Sequence, residues 1–281
     1  MTYWDDWTDE KMEQNFSPRY AVPEIADHLE DFAARAAETR RFYDMQRNIA
    51  YGEHPREVYD VFPGIIGGPM HIFIHGGYWR ALSKDDHSFV AAPFNGAGAT
   101  VVMMNYPLCP EVTLSSLSAS VMNGVAHAIS HVESYGASPD RIHVSGHSAG
   151  GHLTAMAAAH DWTAHGLPAN AIKTAAPLSG IFDPRATRRI PLNQEIGLDA
   201  SEAAANNILS PKFAPLPHVK VLLAAGGAEP EGWIAQSEAY RKMFGVEAPV
   251  MLPEGANHFT LLDHVADSKS DLCKAMLALM A

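Results

Sequence analysis

The stretch Val144-Ser145-Gly146-His147-Ser148-Ala149-Gly150-Gly151 sets a serine between two glycines. An apolar run, Arg141 to Ser145, reads as a buried strand before it, and Ala149 to His160 reads as a helix after it. A chain that passes from strand to helix within so few residues must hold the intervening backbone in a strained turn. Gly146 and Gly150 are small because side chains there would collide. Gly-x-Ser-x-Gly alone is a common chance pattern, but strand, turn and helix in this order make a nucleophile elbow that lifts the Ser148 hydroxyl clear of a sheet.

The rest of the chain has the alternation such an elbow needs. Strand patterns fall at Arg56 to Phe62, Met70 to Ile74, Thr100 to Tyr106, Arg141 to Ser145, Ile172 to Leu178, Val219 to Ala225 and Pro249 to Leu252. Helical patterns lie near Thr113 to Tyr135, Ala149 to His160, Ala200 to Ile208, Glu231 to Phe244 and Leu261 to Leu279. This order predicts an α/β architecture, a mostly parallel central sheet with helices on both faces. At 281 residues without a linker, repeat or low-complexity tract, the expectation is one domain over 1–281. Residues 1–50 form a helical, cap-like N-terminal segment. Within it, Pro23 to Arg41 carries a stripe at Ile25, Leu29, Phe32, Ala33 and Ala36, which can cover the site or simply dock on the core.

His75-Gly76-Gly77-Tyr78-Trp79 follows the apolar run Met70 to Ile74. Acyl transfer needs donors aimed at the oxyanion of a tetrahedral intermediate, and backbone N–H groups approach closely only where bulk is absent. The Gly77 and Tyr78 amides, with that of Ala149 at the positive end of a helix, can supply them. The bland alternative is a tight turn that binds nothing.

A serine needs a histidine base, and the histidine needs a carboxylate to fix its tautomer. Of fifteen histidines, His258 lies in the loop Pro253 to Phe259 after the last strand pattern, where the chain order serine, acid, histidine places the base. His264 and His218 read as surface residues, His75 as a brace for its own loop, and His147 and His152 as flanking the elbow without the reach to turn back on it. The acid falls in Gly226-Gly227-Ala228-Glu229-Pro230-Glu231, after the strand pattern Val219 to Ala225. Glu229 is the better candidate, because Pro230 and Glu231 look like the start of a helix; Glu231 is the fallback and Asp263 the outsider.

A net charge of −12 argues against nucleic acid and anionic membrane as partners and leaves small molecules. Two cysteines far apart, Cys109 and Cys273, suit a reducing compartment. No secretory n-region opens the sequence and no run of about eighteen apolar residues occurs, so a cytoplasmic protein is expected. His127 and His131 lie four apart on a predicted helix, but no His-Glu-x-x-His, cysteine cage, dinucleotide fingerprint or Walker motif accompanies them. No metal and no cofactor are expected, and the sequence is compatible with a homodimer.

His75-Gly76-Gly77-Tyr78-Trp79, Gly146-His147-Ser148-Ala149-Gly150 and Asn257-His258-Phe259 together resemble the serine-hydrolase kynurenine formamidases (arylformamidases). These are relatives of the hormone-sensitive-lipase-like esterases in the α/β-hydrolase superfamily. Phe16-Ser17-Pro18, Ser83 to Asp86, Asn105 to Leu114, Ser179 to Asp183 and Gln236-Ser237 also have counterparts there, so the resemblance runs from about Asn15 onward. It implies an α/β-hydrolase fold, a triad of Ser148, Glu229 and His258, and an oxyanion hole from Gly77, Tyr78 and Ala149. It further implies a small aromatic formamide such as N-formylkynurenine as substrate, cleaved through an acyl-enzyme, with Tyr78 and Trp79 lining an aromatic pocket; Trp79 can equally be core. A general carboxylesterase for small acyl esters needs the same machinery, and a receptor that has lost catalysis would keep the fold alone. The family usually has aspartate where this chain has Glu229. The segment Pro184 to Leu192, which leads toward the substrate mouth in the family, is here basic, with Arg185, Arg188 and Arg189. Those arginines attract a substrate carboxylate or decorate a solvated surface, the commoner outcome.

Overall fold

The computed structural model describes residues 3–281. Seven strands, β1 (Gln46–Ala50), β2 (Val58–Phe62), β3 (Gly68–Ile74), β4 (Thr100–Met104), β5 (Ala137–His147), β6 (Ile172–Leu178) and β7 (Lys220–Val221), form one sheet in the order β1-β2-β4-β3-β5-β6-β7. Pairings among β4, β3, β5, β6 and β7 are parallel, while β1 on β2 and β2 on β4 are antiparallel. The helices are α1 (Asp9–Phe16), α2 (Pro18–Ala21), α3 (Ile25–Phe42), α4 (Ala91–Gly96), α5 (Leu114–Ser130), α6 (Ala149–Ala159), α7 (Pro184–Thr187), α8 (Asn193–Ile196), α9 (Ala200–Ala205), α10 (Glu231–Phe244), α11 (Leu261–Ala266) and α12 (Asp271–Leu279). This is the α/β-hydrolase architecture, with helices around a mostly parallel sheet.

The two-residue period of the central strands divides their side chains between two cores. Met70, Ile72 and Ile74 of β3, with Val102 and Met104 of β4, pack on the face covered by α5, α6 and α10. Phe73, Val101 and Met103, from the intervening positions, pack on the other face against α3, α4, α11 and α12. Strands buried on both sides read as largely apolar runs, interrupted here by His71 in β3 and by Lys173 and Thr174 in β6.

Three expectations need correction. Strand β1 falls inside the 1–50 segment expected to be helical: four of its five residues are exposed, so no apolar period announces this edge strand. The Val219 to Ala225 and Pro249 to Leu252 strands shrink to the short β7 plus single parallel bridges, Leu178 to Ala224 and Ala224 to Met251. The C-terminal helix is two helices, since Asp267 leaves the helical region and Ser270 caps α12 by accepting from the Cys273 N–H. No helix among the described residues is long and apolar enough to cross a membrane.

Candidate active site

Strand β5 delivers the chain to Ser148, which sits at φ 58°, ψ −118° and caps α6. This left-handed backbone costs energy in any residue but glycine, and close packing holds it. A Cβ on Gly150 would lie 2.0 Å from the Ile74 carbonyl oxygen, and one on Gly146 would lie 2.4 Å from that of Gly150. The Ser148 N–H donates to Leu178 O at 2.9 Å, tying the elbow to the end of β6.

The glycine loop after β3 is strained in the same sense. Gly77, Tyr78 and Trp79 have φ of 115°, 52° and 59°, and a Cβ on Gly77 would meet Ala81 O at 2.1 Å. Arg56 fastens the surroundings, donating to Tyr106 O, Leu82 O and Asn105 Oδ1, while His75 stacks on Tyr106 and reaches Asn105 Oδ1 through Nε2. Among the described residues no protein acceptor takes the amides of Gly77, Tyr78 or Ala149, and Gly77 and Tyr78 share one cavity wall with Ser148.

The loops after β7 and after Met251 are laced together by bonds from Gly227 N–H to Pro253 O and from Ala228 N–H to Ala256 O, both 2.9 Å. That lacing brings Glu229 to His258: Oε1 lies 3.4 Å from Nδ1. The carboxylate is buried. Its Oε1 also accepts from the Gly226 N–H at 3.1 Å, and Oε2 accepts from the Ser179 hydroxyl at 2.5 Å. Ser179 Oγ is in turn 3.3 Å from His258 Nδ1. A proton held at Nδ1 by these oxygens leaves the Nε2 lone pair free for base chemistry. The imidazole is wedged between the rings of Trp233 at 4.3 Å and His147 at 4.6 Å. Its hydrogen bonds all lie on the Nδ1 edge, and among the described residues none reaches the Ser148 hydroxyl. Such bonds commonly tighten only when substrate binds.

Glu231 is brought elsewhere, being mostly exposed and paired with Lys11 at 2.8 Å. Asp263 pairs with Arg35. Ser179 is the residue sequence reasoning passed over as part of this cluster; its place at the end of β6, the strand beside the elbow strand, was the available signal. His147 is not a bystander either, since it packs against His258 and lines the cavity described next. Burial, and then the neighbouring His258, hold the His147 pKa well below the ordinary histidine range, so its ring is neutral.

Ser148 opens into a cavity of about 250 Å³. Its floor is Gly76, Gly77 and His147, and its roof is Ile25, Leu29 and Phe32 of α3, so the N-terminal stripe covers the site. Tyr78 is on the wall, its hydroxyl donating to Phe16 O at 2.5 Å. Trp79 is not on the wall: it is fully buried beneath the loop, edge-on to His152 at 5.1 Å, and serves as core. Of the three basic-segment arginines, Arg185 grips Asp183, Arg189 donates to Trp4 O and Trp7 O, and Arg188 is exposed. None of them lines the cavity. His127 is bonded to the Tyr59 hydroxyl at 2.8 Å. The described residues contain no cluster of three or more metal-ligating side chains.

Residues 71–226 match the family described as the alpha/beta hydrolase fold. The whole chain aligns with a kynurenine formamidase of Salmo salar at 26% identity, covering 100% of this chain and 99% of the relative. A crystal structure from Silicibacter sp., provisionally assigned as a thioesterase, superposes with a TM-score of 0.81 at 28% identity over 95% of this chain and 99% of that one. Esterase B from Lactobacillus rhamnosis shares the fold, with a TM-score of 0.68 at 17% identity over 97% and 96% of the two chains. The elbow, the glycine loop and these likenesses agree: the chain belongs to the alpha/beta hydrolase fold family and is a hydrolase acting on an amide or ester.

Proposed function

We propose that this hydrolase removes a small acyl group, formyl in the first instance, from an aryl amine, using Ser148 as nucleophile, His258 as base and Glu229 as the orienting acid. The observation that carries this reading is the strained Ser148 on the lining of a mostly apolar cavity it shares with Gly77 and Tyr78, whose amides, like that of Ala149, have no acceptor among the described residues. Ser148 Oγ attacks the formyl carbon and gives its proton to His258 Nε2. The amides of Gly77, Tyr78 and Ala149 hold the oxyanion; loss of one such donor typically slows turnover about a hundredfold to a thousandfold. As the C–N bond breaks, His258 returns the proton to the departing nitrogen, leaving a formyl ester on Ser148. Water then attacks that ester, its proton passing through His258 to Ser148, and formate leaves.

The full-length likeness to kynurenine formamidase supports a formamide substrate, and the limited cavity supports a small acyl group. The second reading, a carboxylesterase for short acyl esters, is favoured by the esterase neighbours and needs the same residues. Rates on N-formylkynurenine and on short-chain p-nitrophenyl esters separate the two, with Ser148→Ala as control. The formamidase reading expects the formamide to be preferred. A strong preference for the esters would remove that reading and keep the machinery, whereas turnover surviving in Ser148→Ala would remove both.

A further inference from the structure

The wall of the cavity is mostly apolar, and among the described residues that line it Arg19 and Arg80 carry the guanidinium charges. Both guanidiniums lean on one carboxylate. Arg19 Nη1 lies 3.2 Å from Glu195 Oε1, and Arg80 Nη1 lies 2.9 Å from Glu195 Oε2. Two cations therefore share one carboxylate here, in a chain whose net charge is −12. The Arg80 side chain is only 19% exposed. Burial lowers its pKa, Glu195 offsets part of that effect, and the like charge of Arg19 adds to it, so the cation is short of compensation.

Arg80 is also rigidly placed relative to the reaction. Its backbone N–H donates to Gly77 O at 3.1 Å, so it belongs to the same tight turn that carries the Gly77 and Tyr78 amides. Leu29, Phe32, Leu82 and Phe259 line the same cavity, an apolar surface suited to a ring or short aliphatic body. A planar guanidinium beside an apolar wall matches a carboxylate better than any neutral group.

We infer that Arg80, assisted by Arg19, is a specificity-determining subsite for a carboxylate carried on the leaving group. The substrates would then be acylated amines or alcohols with an apolar body and an anionic end. This rests on Ser148 as the nucleophile. Glu195 competes with the incoming carboxylate for the two arginines and so tunes the subsite.

The test uses the matched substrates 3-formamidobenzoate and 3-formamidobenzamide, with calorimetric binding of 3-aminobenzoate and 3-aminobenzamide to Ser148→Ala protein as a readout independent of turnover. The carboxylate of each pair is expected to be favoured by about tenfold, mainly in KM and Kd. Arg80→Gln should reduce that ratio to near one, and Arg80→Lys should restore part of it. Glu195→Gln should strengthen carboxylate binding several-fold by freeing both guanidiniums. A merely structural strap predicts the opposite, with Glu195→Gln weakening both ligands alike. Equal handling of the two pairs by the wild-type protein would also overturn the inference. Binding selectivity without turnover of either formamide would retain the subsite and reject the proposed formamidase; turnover without selectivity would do the reverse.

Discussion

Glu229 and His258 stand 3.4 Å apart, and the Ser179 hydroxyl bonds to the same carboxylate at 2.5 Å while lying 3.3 Å from the ring. The carboxylate therefore has its lone pairs occupied by Gly226, Ser179 and His258, and the imidazole has one edge fixed.

Glu229→Gln should keep the packing but present the wrong partner to Nδ1, lowering kcat on the order of a thousandfold to ten-thousandfold. Ser179→Ala removes one hydrogen bond to a buried carboxylate, a loss of about 1.5–3 kcal/mol, and should lower kcat less. Steady-state kinetics with thermal melts separate the two effects from unfolding. Equal activity in Glu229→Gln and wild type would assign the acid elsewhere.

The elbow glycines should tolerate no side chain. Gly150→Ala puts a methyl 2.0 Å from the Ile74 carbonyl oxygen, a backbone atom that cannot swing aside. Overpacking of this kind costs about 1–3 kcal/mol or more, so Gly150→Ala should melt several degrees lower and lose activity. Gly166→Ala is the control for open space, since nothing lies within 4 Å of its Cβ position, although its φ of 73° makes a small strain cost expected.

Acid should destabilise the fold through histidines buried neutral. Burial pushes the pKa of His71 down to about 3 and those of His143 and His152 down to about 4. One ring nitrogen of each is buried without a partner. Below about pH 6.5 the unfolded chain binds protons that the folded chain refuses, so stability falls with acidification, by about 1.4 kcal/mol per pH unit for each such group. The loss should continue until pH reaches about 4 for two of them and about 3 for His71. Urea midpoints at pH 7, 6 and 5 should descend in order; a flat series would mean these rings are protonated in the native state.

Arg189→Ala should loosen the N-terminal segment without changing substrate charge preference. It deletes the donors to Trp4 O and Trp7 O, and a stability loss of about 1–2 kcal/mol is expected. Tryptophan fluorescence and limited proteolysis would report the release. A collapse of carboxylate selectivity in this variant would place the anion site in the basic segment and away from Arg80.

What was readable in the sequence follows burial and period. Strands β3 and β6 and helix α10 were legible because apolar runs and caps mark them, and the motifs of Ser148, the glycine loop and His258 lie where strands end. Strand β1 was not, since an exposed polar edge carries no alternation. Trp79 shows the limit of reading a motif by residue type: an aromatic beside a glycine pair suggests a pocket wall, yet positive φ values through the loop turn its ring inward to the core. The cavity arginines were invisible for another reason. Arg19, Arg80 and Glu195 are brought together only by tertiary packing, while Arg185 and Arg189 of the conspicuous cluster at 185–189 are spent on Asp183 and the N-terminal carbonyls.

The most direct test of the central claim is covalent capture: treat the protein with an aryl phosphonate ester that reports serine nucleophiles, then locate the adduct by peptide mass spectrometry. One equivalent on Ser148, with parallel loss of hydrolysis and no labelling of His258→Ala, is the predicted result. Labelling at another residue, or full hydrolytic activity in a protein whose Ser148 is blocked, would contradict it.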